Sequence, residues 1–312
     1  MKKWRYLISI LSLLGLFILP IWAKNLYNIH LFIIICLNIV FAMSLGLILK
    51  MGHLSLGHAA YIGIGAYTSA LLSVELNIPF WATFFAAGVI SALVAFFIGR
   101  ITLGLKGIYF TITTFSLTEV LRSIWLASKN VFGGASGIMN IPPPFGISSK
   151  VHFYYLVLTF MLISSFIFYR LSKSSFGMLC DGLRLNSILE ECVGINTSKM
   201  KTIVFVIGCT FAGLGGSIFA HYLGHISPAN FTMFLSTEII VYCAIGGLGS
   251  ILGSAVGGIL MTILGESLFG AGFYRSLIFG IILIGFMIFL PSGLSKLYNY
   301  VFGRFALNKK SF

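Results

Sequence analysis

Seven carboxylates serve the whole 312-residue chain, so each one that falls in an apolar run is a candidate for chemistry. Glu119 is such a residue: a carboxylate at membrane depth must find a partner or face water. Arg122, three residues on, can reach it along one helix face, so the pair reads first as structural and second as part of a polar transport path. Glu238 opens its own apolar run, where a negative charge suits a helix N-terminus. His53 and His58 flank Leu54-Ser55-Leu56-Gly57 and read as hydrogen-bonded packing residues rather than ligands. No ladder of acids crosses the apolar runs, which weakens proton or sodium coupling, and no nucleophile–base pair offers catalysis. The cysteines (Cys36, Cys180, Cys192, Cys209, Cys243) are odd in number and form no C-x-x-C, so neither disulfides nor a metal site are expected. No G-x-x-x-x-G-K-[ST] loop occurs, so ATP-driven work would have to come from another chain, and no cofactor is expected.

The densest charge lies in residues 170–201, which hold Arg170, Lys173, Arg184, Lys199 and Lys201 together with Asp181, Glu190 and Glu191. Helical spacing puts Leu185, Ile188, Leu189, Cys192 and Val193 on one face. Ser187-x-x-Glu190 fits a capping box, Gly194 is placed to end the helix, and Thr197 or Ser198 can cap the next one. A helix lying on lipid usually has a basic polar face. Two central glutamates argue instead for a protein partner.

These residues sit in a chain that is 58% hydrophobic and only 9% charged, with mean hydropathy +1.03, the composition of an all-α polytopic membrane protein. The net charge of +13 is spread between apolar runs rather than gathered in a patch, which excludes a nucleic-acid surface. Residues 1–23 have a basic start, an apolar run Leu7–Leu19 and a cleavage-like Ile21-Trp22-Ala23; a first span and a cleaved signal both stand open. Spans are then expected over Leu31–Leu49, Leu54–Val74, Phe80–Ile98, Gly107–Ala127, Val151–Tyr169 and Thr202–Tyr222. An exterior loop over 128–150 carries the stiff Pro142-Pro143-Pro144.

Ser236–Glu266 would form a helix about 46 Å long, against a hydrocarbon core of about 30 Å. A re-entrant pair broken in the middle, at Gly246-Gly247-Leu248-Gly249-Ser250, lets Ser276–Leu290 return the tail inside. The cytoplasmic side then collects fifteen of the twenty Lys and Arg: Lys2, Lys3, Arg5, Lys50, Arg100, Lys106, Arg170, Lys173, Arg184, Lys199, Lys201, Lys296, Arg304, Lys309 and Lys310. Both termini are expected in the cytoplasm, with about eight spans plus the broken pair in a single domain over 1–312. Glycine-rich broken helices commonly line a transport path. The stretches Leu54–Gly65 and Gly246–Gly258 therefore nominate Ser55, Gly57, His58, Gly246, Gly247 and Gly249, with tight helix packing as the plain alternative, and the unusually polar span Gly107–Ala127 adds Thr114 and Glu119.

Several motifs agree with one family. Leu54-Ser55-Leu56-Gly57-His58-Ala59-Ala60-Tyr61-Ile62-Gly63, Gly107-Ile108-Tyr109-Phe110, Phe115-x-Leu117-x-Glu119-x-Leu121-Arg122, Gly133-Gly134-x-Ser136-Gly137, Gly194-Ile195-Asn196, His221-Tyr222-x-Gly224-x-Ile226-Ser227-Pro228 and Gly246-Gly247-Leu248-Gly249-Ser250 follow its order from about 37 to 295. The chain resembles the LivM-type permease subunits of ABC importers for branched-chain amino acids. The resemblance implies an ABC importer permease fold and a path for leucine, isoleucine and valine across the inner membrane. It also implies a second, LivH-like permease, two ATP-binding subunits and a periplasmic or lipid-anchored substrate-binding protein. Within 170–201, Ser187, Ile188, Leu189, Glu190, Glu191 and Gly194 would correspond to the helix that couples to the ATPase. Relatives tend to show glutamate and small alanines there, so this chain's Leu189, Glu190, Glu191 and Cys192 make a bulkier, more acidic face. Urea, short amides or other amino acids remain alternative cargoes, and an ion-coupled carrier acting alone is the reading from a different class.

Overall fold

The computed structural model describes Phe17, residues 26–105, 107–144, 147, 149–268 and 274–289, and Gly293. The run Leu7–Leu19 apart from Phe17, the cleavage pattern at 21–23, Lys106 and the tail bearing Lys296, Arg304, Lys309 and Lys310 fall outside them. The described chain is helical: α1 Leu26–Lys50, α2 His58–Val74, α3 Phe80–Thr102, α4 Ile108–Ala127, the single turn α5 Lys129–Phe132, α6 Lys150–Lys173, α7 Ser175–Cys192, α8 Thr197–Leu223, α9 Met233–Gly246, α10 Ile251–Ser267 and α11 Tyr274–Phe289.

Helix α1 is the axis of the bundle. It is apolar on every side, and Ile33, Val40, Met43, Leu45 and Leu47 are fully buried because α6, α8, α9 and α10 surround it. Helices α1, α3, α6 and α8 are long and apolar enough to cross a membrane, and α9 with α10 form one further pair bent by 115°. Of the expected eight spans this leaves out the first, which apart from Phe17 lies outside the described residues, and α11, which is 16 residues long; α2 and α4 fall short for local reasons. Helix α2 starts at His58, four residues later than the apolar run suggested, and spans only about 26 Å. Helix α4 is diluted by threonines, Glu119 and Arg122.

Glycines let the helices meet backbone to backbone. A Cβ on Gly65 would collide with the Gly213 backbone of α8, and one on Gly216 with the Ile62 carbonyl of α2. Pairing α2 with α8 in this way brings their polar residues together as well, at the α2 end marked by Ser69 and Ser73.

The break between α9 and α10 falls at the glycines where the re-entrant pair was expected to turn, and it lies at the Lys50 end of α1. The turn uses Gly247 and Gly249 at φ +112° and +87°, and the Ser250 side chain caps α10 by accepting the Gly253 N–H at 3.1 Å. From there α10 runs antiparallel to α1. Gly46 lies against Ser254, the Asn38 amide donates to Thr262 at 2.9 Å, and the Tyr27 hydroxyl donates to Glu266 at 3.1 Å. Contacts with α1 thus run along α10 from Ser254 to Glu266, so α10 lies against most of α1.

At the Leu26 end, the segment after α5 is stitched to the residues following α8. Ile138 and Ile226 exchange both backbone hydrogen bonds, at 2.9 and 3.0 Å, and Ile141 donates to the Gly224 carbonyl at 3.0 Å.

Candidate functional site

Between α1 and α2 the chain leaves helical geometry over residues 51–57, inside an otherwise apolar bundle. Backbone groups freed there need partners, since hydrocarbon offers none. Helix α4 supplies them. Thr111, Thr114 and Thr118 stand three and four residues apart and so share one face. The Thr111 hydroxyl donates to the Leu54 carbonyl at 2.9 Å, Thr114 accepts the Leu56 N–H at 3.1 Å, and Thr118 donates to the Leu56 carbonyl at 3.1 Å. Ser55 accepts the Gly57 N–H at 3.2 Å, and Ser236 of α9 accepts the Ala59 N–H at 2.9 Å. The polar character of α4 is thus largely a hydrogen-bond ladder for the neighbouring backbone. In the sequence Thr111 and Thr118 are polar residues without an assigned role and Thr114 is only a candidate for the transport path, and Ser236 goes unnoticed because nothing local links it to Ala59.

Four residues nominated for a transport path meet at this place. Ser55, Gly57, His58 and Thr114 are buried together, and a Cβ on Gly57 would press to 3.1 Å from the Thr114 carbonyl. His58 is fully buried against Ser44. Ser44 commits its O–H to the Phe41 carbonyl at 2.9 Å, so its oxygen accepts from His58 Nε2 at 2.8 Å. Glu119 pairs with Arg122 at 2.8 Å, each side chain one-third exposed. Glu238 accepts the Tyr242 hydroxyl at 2.8 Å within its own helix. Gly246, Gly247 and Gly249 belong to the α9–α10 turn instead.

The charged stretch 170–201 is an arm of helix rather than a loop, closing α6, forming α7 and opening α8. It is anchored where Lys50, buried at the end of α1, meets Asp181 at 3.2 Å and donates to the Ser172 hydroxyl at 3.2 Å. Its helix breaks at Asn186, whose backbone is extended at φ −161° and ψ 102°. The Asn186 side chain then accepts the Ile188 and Leu189 N–H groups at 3.0 and 3.4 Å and caps the terminal turns. The expected Ser187–Glu190 capping box is therefore displaced by one residue: asparagine is as strong a cap, and it precedes the serine. Glu190 is free to fold back over Gly182, where a Cβ would strike its carboxylate.

Gly194 ends the arm as expected, at φ +88° with its N–H on the Glu191 carbonyl at 2.9 Å and the Ile195 N–H on the Glu190 carbonyl at 3.1 Å. Asn196, not Thr197 or Ser198, caps α8 by accepting the Lys199 N–H at 2.9 Å; Thr197 donates to the Glu191 carboxylate instead. Among the described residues the apolar side chains around and after the Asn186 break are left bare: Leu185 and Val193 are 80% exposed, Ile188 and Leu189 62%. Cys192 is exposed beside them, while burial pushes the Cys180 thiol up to about 11.

A second polar cluster, missed by sequence reading, lies at the opposite end of the bundle. The His221 Nδ1 donates to the Pro142 carbonyl at 2.7 Å, and its Nε2 lies 2.8 Å from Ser69 Oγ, which also accepts the Ser217 hydroxyl at 2.8 Å. These residues come from α2, α8 and the triple-proline segment, too far apart in sequence to be associated by spacing.

Comparison with known proteins gives these elements a context. The family described as branched-chain amino acid transport system, permease component, matches residues 27–289. The chain is 30% identical over 285 residues to the high-affinity branched-chain amino acid transport system permease protein LivM of Salmonella typhimurium, covering 83% of this chain and 65% of that protein. It is 27% identical over 185 residues to the LivH permease protein of the same organism, covering 57% and 58% of the two chains. It is 24% identical over 183 residues to the autoinducer 2 import system permease protein LsrC of Klebsiella pneumoniae, covering 55% and 51%. The match thus spans about two-thirds or less of each of these relatives' lengths. No solved structure matches the chain.

Proposed function

The chain belongs to the family of permease components of branched-chain amino acid transport systems, and from that premise we propose that it is a membrane-spanning subunit of an ABC importer for leucine, isoleucine and valine. The observation that carries this reading is the arm ending in Ile188–Gly194. It is a capped, rigid helix end with its apolar side chains bare, fixed by Lys50 and Asp181 to the central helix of a membrane bundle. An apolar helix face laid into a groove of another protein is a common mode of recognition. The groove belongs to an ATP-binding subunit, and Ser187, Ile188, Leu189, Glu190, Glu191 and Gly194 form the contact. A LivH-like permease completes the membrane part, and a periplasmic or lipid-anchored binding protein delivers the cargo.

In this reading the arm faces the cytoplasm, the segment 128–149 lies outside, and the chain crosses the inner membrane about eight times with both termini inside. The distribution of Lys and Arg supports that orientation. The α9–α10 pair enters and leaves from the outer side, with its turn at the inner face beside the arm. The backbone of residues 51–57, held by the α4 threonines, is the element of this subunit placed to change shape as the path opens.

The test is purification of the tagged chain in mild detergent with its native neighbours, followed by ATPase measurement on the complex. Two ATP-binding subunits and a second permease should co-purify. Gly194→Pro, which removes the N–H that closes the helix and forbids its positive φ, should abolish cargo-stimulated hydrolysis while the chain still inserts. A chain that emerges alone while other ABC complexes survive, and that takes up cargo by itself with an ion, would establish the carrier reading instead. The likeness to an autoinducer 2 import permease keeps a different cargo as the second reading, which uptake competition among leucine, urea and short amides resolves.

A further inference from the structure

Between the arm and the unwound segment the structure encloses a cleft of about 360 Å³. Its walls include His53, Arg184 and Lys201, together with Thr111 and Ser187, and no carboxylate among the described residues lines it. Three acids stand on the same arm, yet each is turned elsewhere. Asp181 pairs with Lys50, Glu190 folds over Gly182, and Glu191 accepts from Thr197. Among the described residues Arg184 makes no ion pair. Its stem lies on Gly52, where a Cβ would come within 3.3 Å of Arg184 Cα, and its guanidinium lies against Gly249, with Nη1 3.3 Å from a Cβ placed there. One residue therefore touches the arm's own helix, the unwound segment and the α9–α10 turn.

We propose that this cleft binds a phosphate-type anion, either the headgroup of an anionic phospholipid or free phosphate, and that the bound anion locks the arm onto residues 51–54. A guanidinium suits such an anion because its N–H groups form a planar fork that matches two phosphate oxygens. Basic pockets at the cytoplasmic boundary of a helix bundle meet anionic headgroups at the depth where those headgroups lie. Arg184 on α7 and Lys201 on α8 both line the cleft with residues 51–54, so an anion held by the Arg184 fork ties the arm to the unwound segment. The lipid form of this inference rests on the cytoplasmic placement of the arm given above.

The test uses the full chain, delipidated in neutral detergent without cargo or nucleotide, and native mass spectrometry with thermal unfolding as readouts. The probes are phosphatidylglycerol, phosphatidylcholine and inorganic phosphate. Retention of phosphatidylglycerol with a raised Tm, phosphatidylcholine and phosphate being without effect, identifies a headgroup site. An equal response to inorganic phosphate identifies free phosphate as the source. In either case Arg184→Gln should weaken binding about tenfold, the effect of one lost charge-assisted contact, while Lys199→Gln, outside the cleft, should not. Lys201→Gln serves as the second variant should Arg184→Gln fail to fold. Equal retention of phosphatidylglycerol and phosphatidylcholine, no response to any anion, or binding unchanged in the cleft variants overturns the proposal. Because no cargo or ATP is involved, failure here leaves the transport reading standing, and failure of transport leaves this result untouched.

Discussion

The Thr114 hydroxyl oxygen stands 3.1 Å from the Leu56 amide, and it is the acceptor for that N–H where the chain leaves helix α1 and has not yet begun α2. The two residues are 58 positions apart, so the irregular backbone of one segment is underwritten by the side chain of another.

Thr114→Val keeps the shape and removes the acceptor. The Leu56 N–H is then buried without a partner, and unfolding of the purified chain should become easier by about 1–3 kcal/mol. Thr114→Ser should restore most of the loss. A Val variant as stable as the parent would show that Leu56 finds another partner.

Gly65 and Gly213 bring α2 and α8 together backbone to backbone. Gly65→Ala should drive the two helices apart and cost about 1–3 kcal/mol or more, with lower yield of folded protein. Gly104→Ala is the control, since a Cβ there meets nothing within 4 Å, and it should leave thermal unfolding unchanged.

The cysteines form a built-in topology probe. Cys36, Cys180, Cys209 and Cys243 are buried, and the Cys180 thiol, pushed up to about 11, stays protonated and unreactive at neutral pH. Cys192 alone among them is exposed. A membrane-impermeant maleimide should label one site on inside-out vesicles, lose it in Cys192→Ser, and leave right-side-out vesicles unlabelled. Labelling from the outer face would reverse the orientation of the arm.

Ile188 and Leu189 follow the Asn186 cap and are mostly exposed, so replacing them should disturb a partner more than the fold. Ile188→Asp should leave the Tm of the isolated chain within the range of an ordinary surface substitution, about 0.5 kcal/mol. The same variant should lose the co-purifying ATP-binding subunits. Retention of those subunits would place their docking surface elsewhere.

The membrane class, the positions of the long helices and the existence of the arm all follow from the amino-acid order, because each depends on local quantities. Apolar runs have a length, amphipathic faces a period, and glycine at 194 a permitted positive φ. The resemblance of Leu54–Gly63 and Gly246–Ser250 to one family was also legible as order alone. Cap positions were legible only to within a residue, since Asn186 and Ser187, or Asn196 and Thr197, are competing caps and only backbone geometry chooses between them. What tertiary structure decided was every pairing at long range. It set Thr111, Thr114 and Thr118 against Leu54 and Leu56, and placed the glycine turn of α9–α10 at the Lys50 end of α1. It also turned Asp181, Glu190 and Glu191 away from Arg184. The physical reason is common to all three. A freed backbone group or a buried charge demands a partner but does not specify which, and close packing of the helices selects one from residues that share no local pattern.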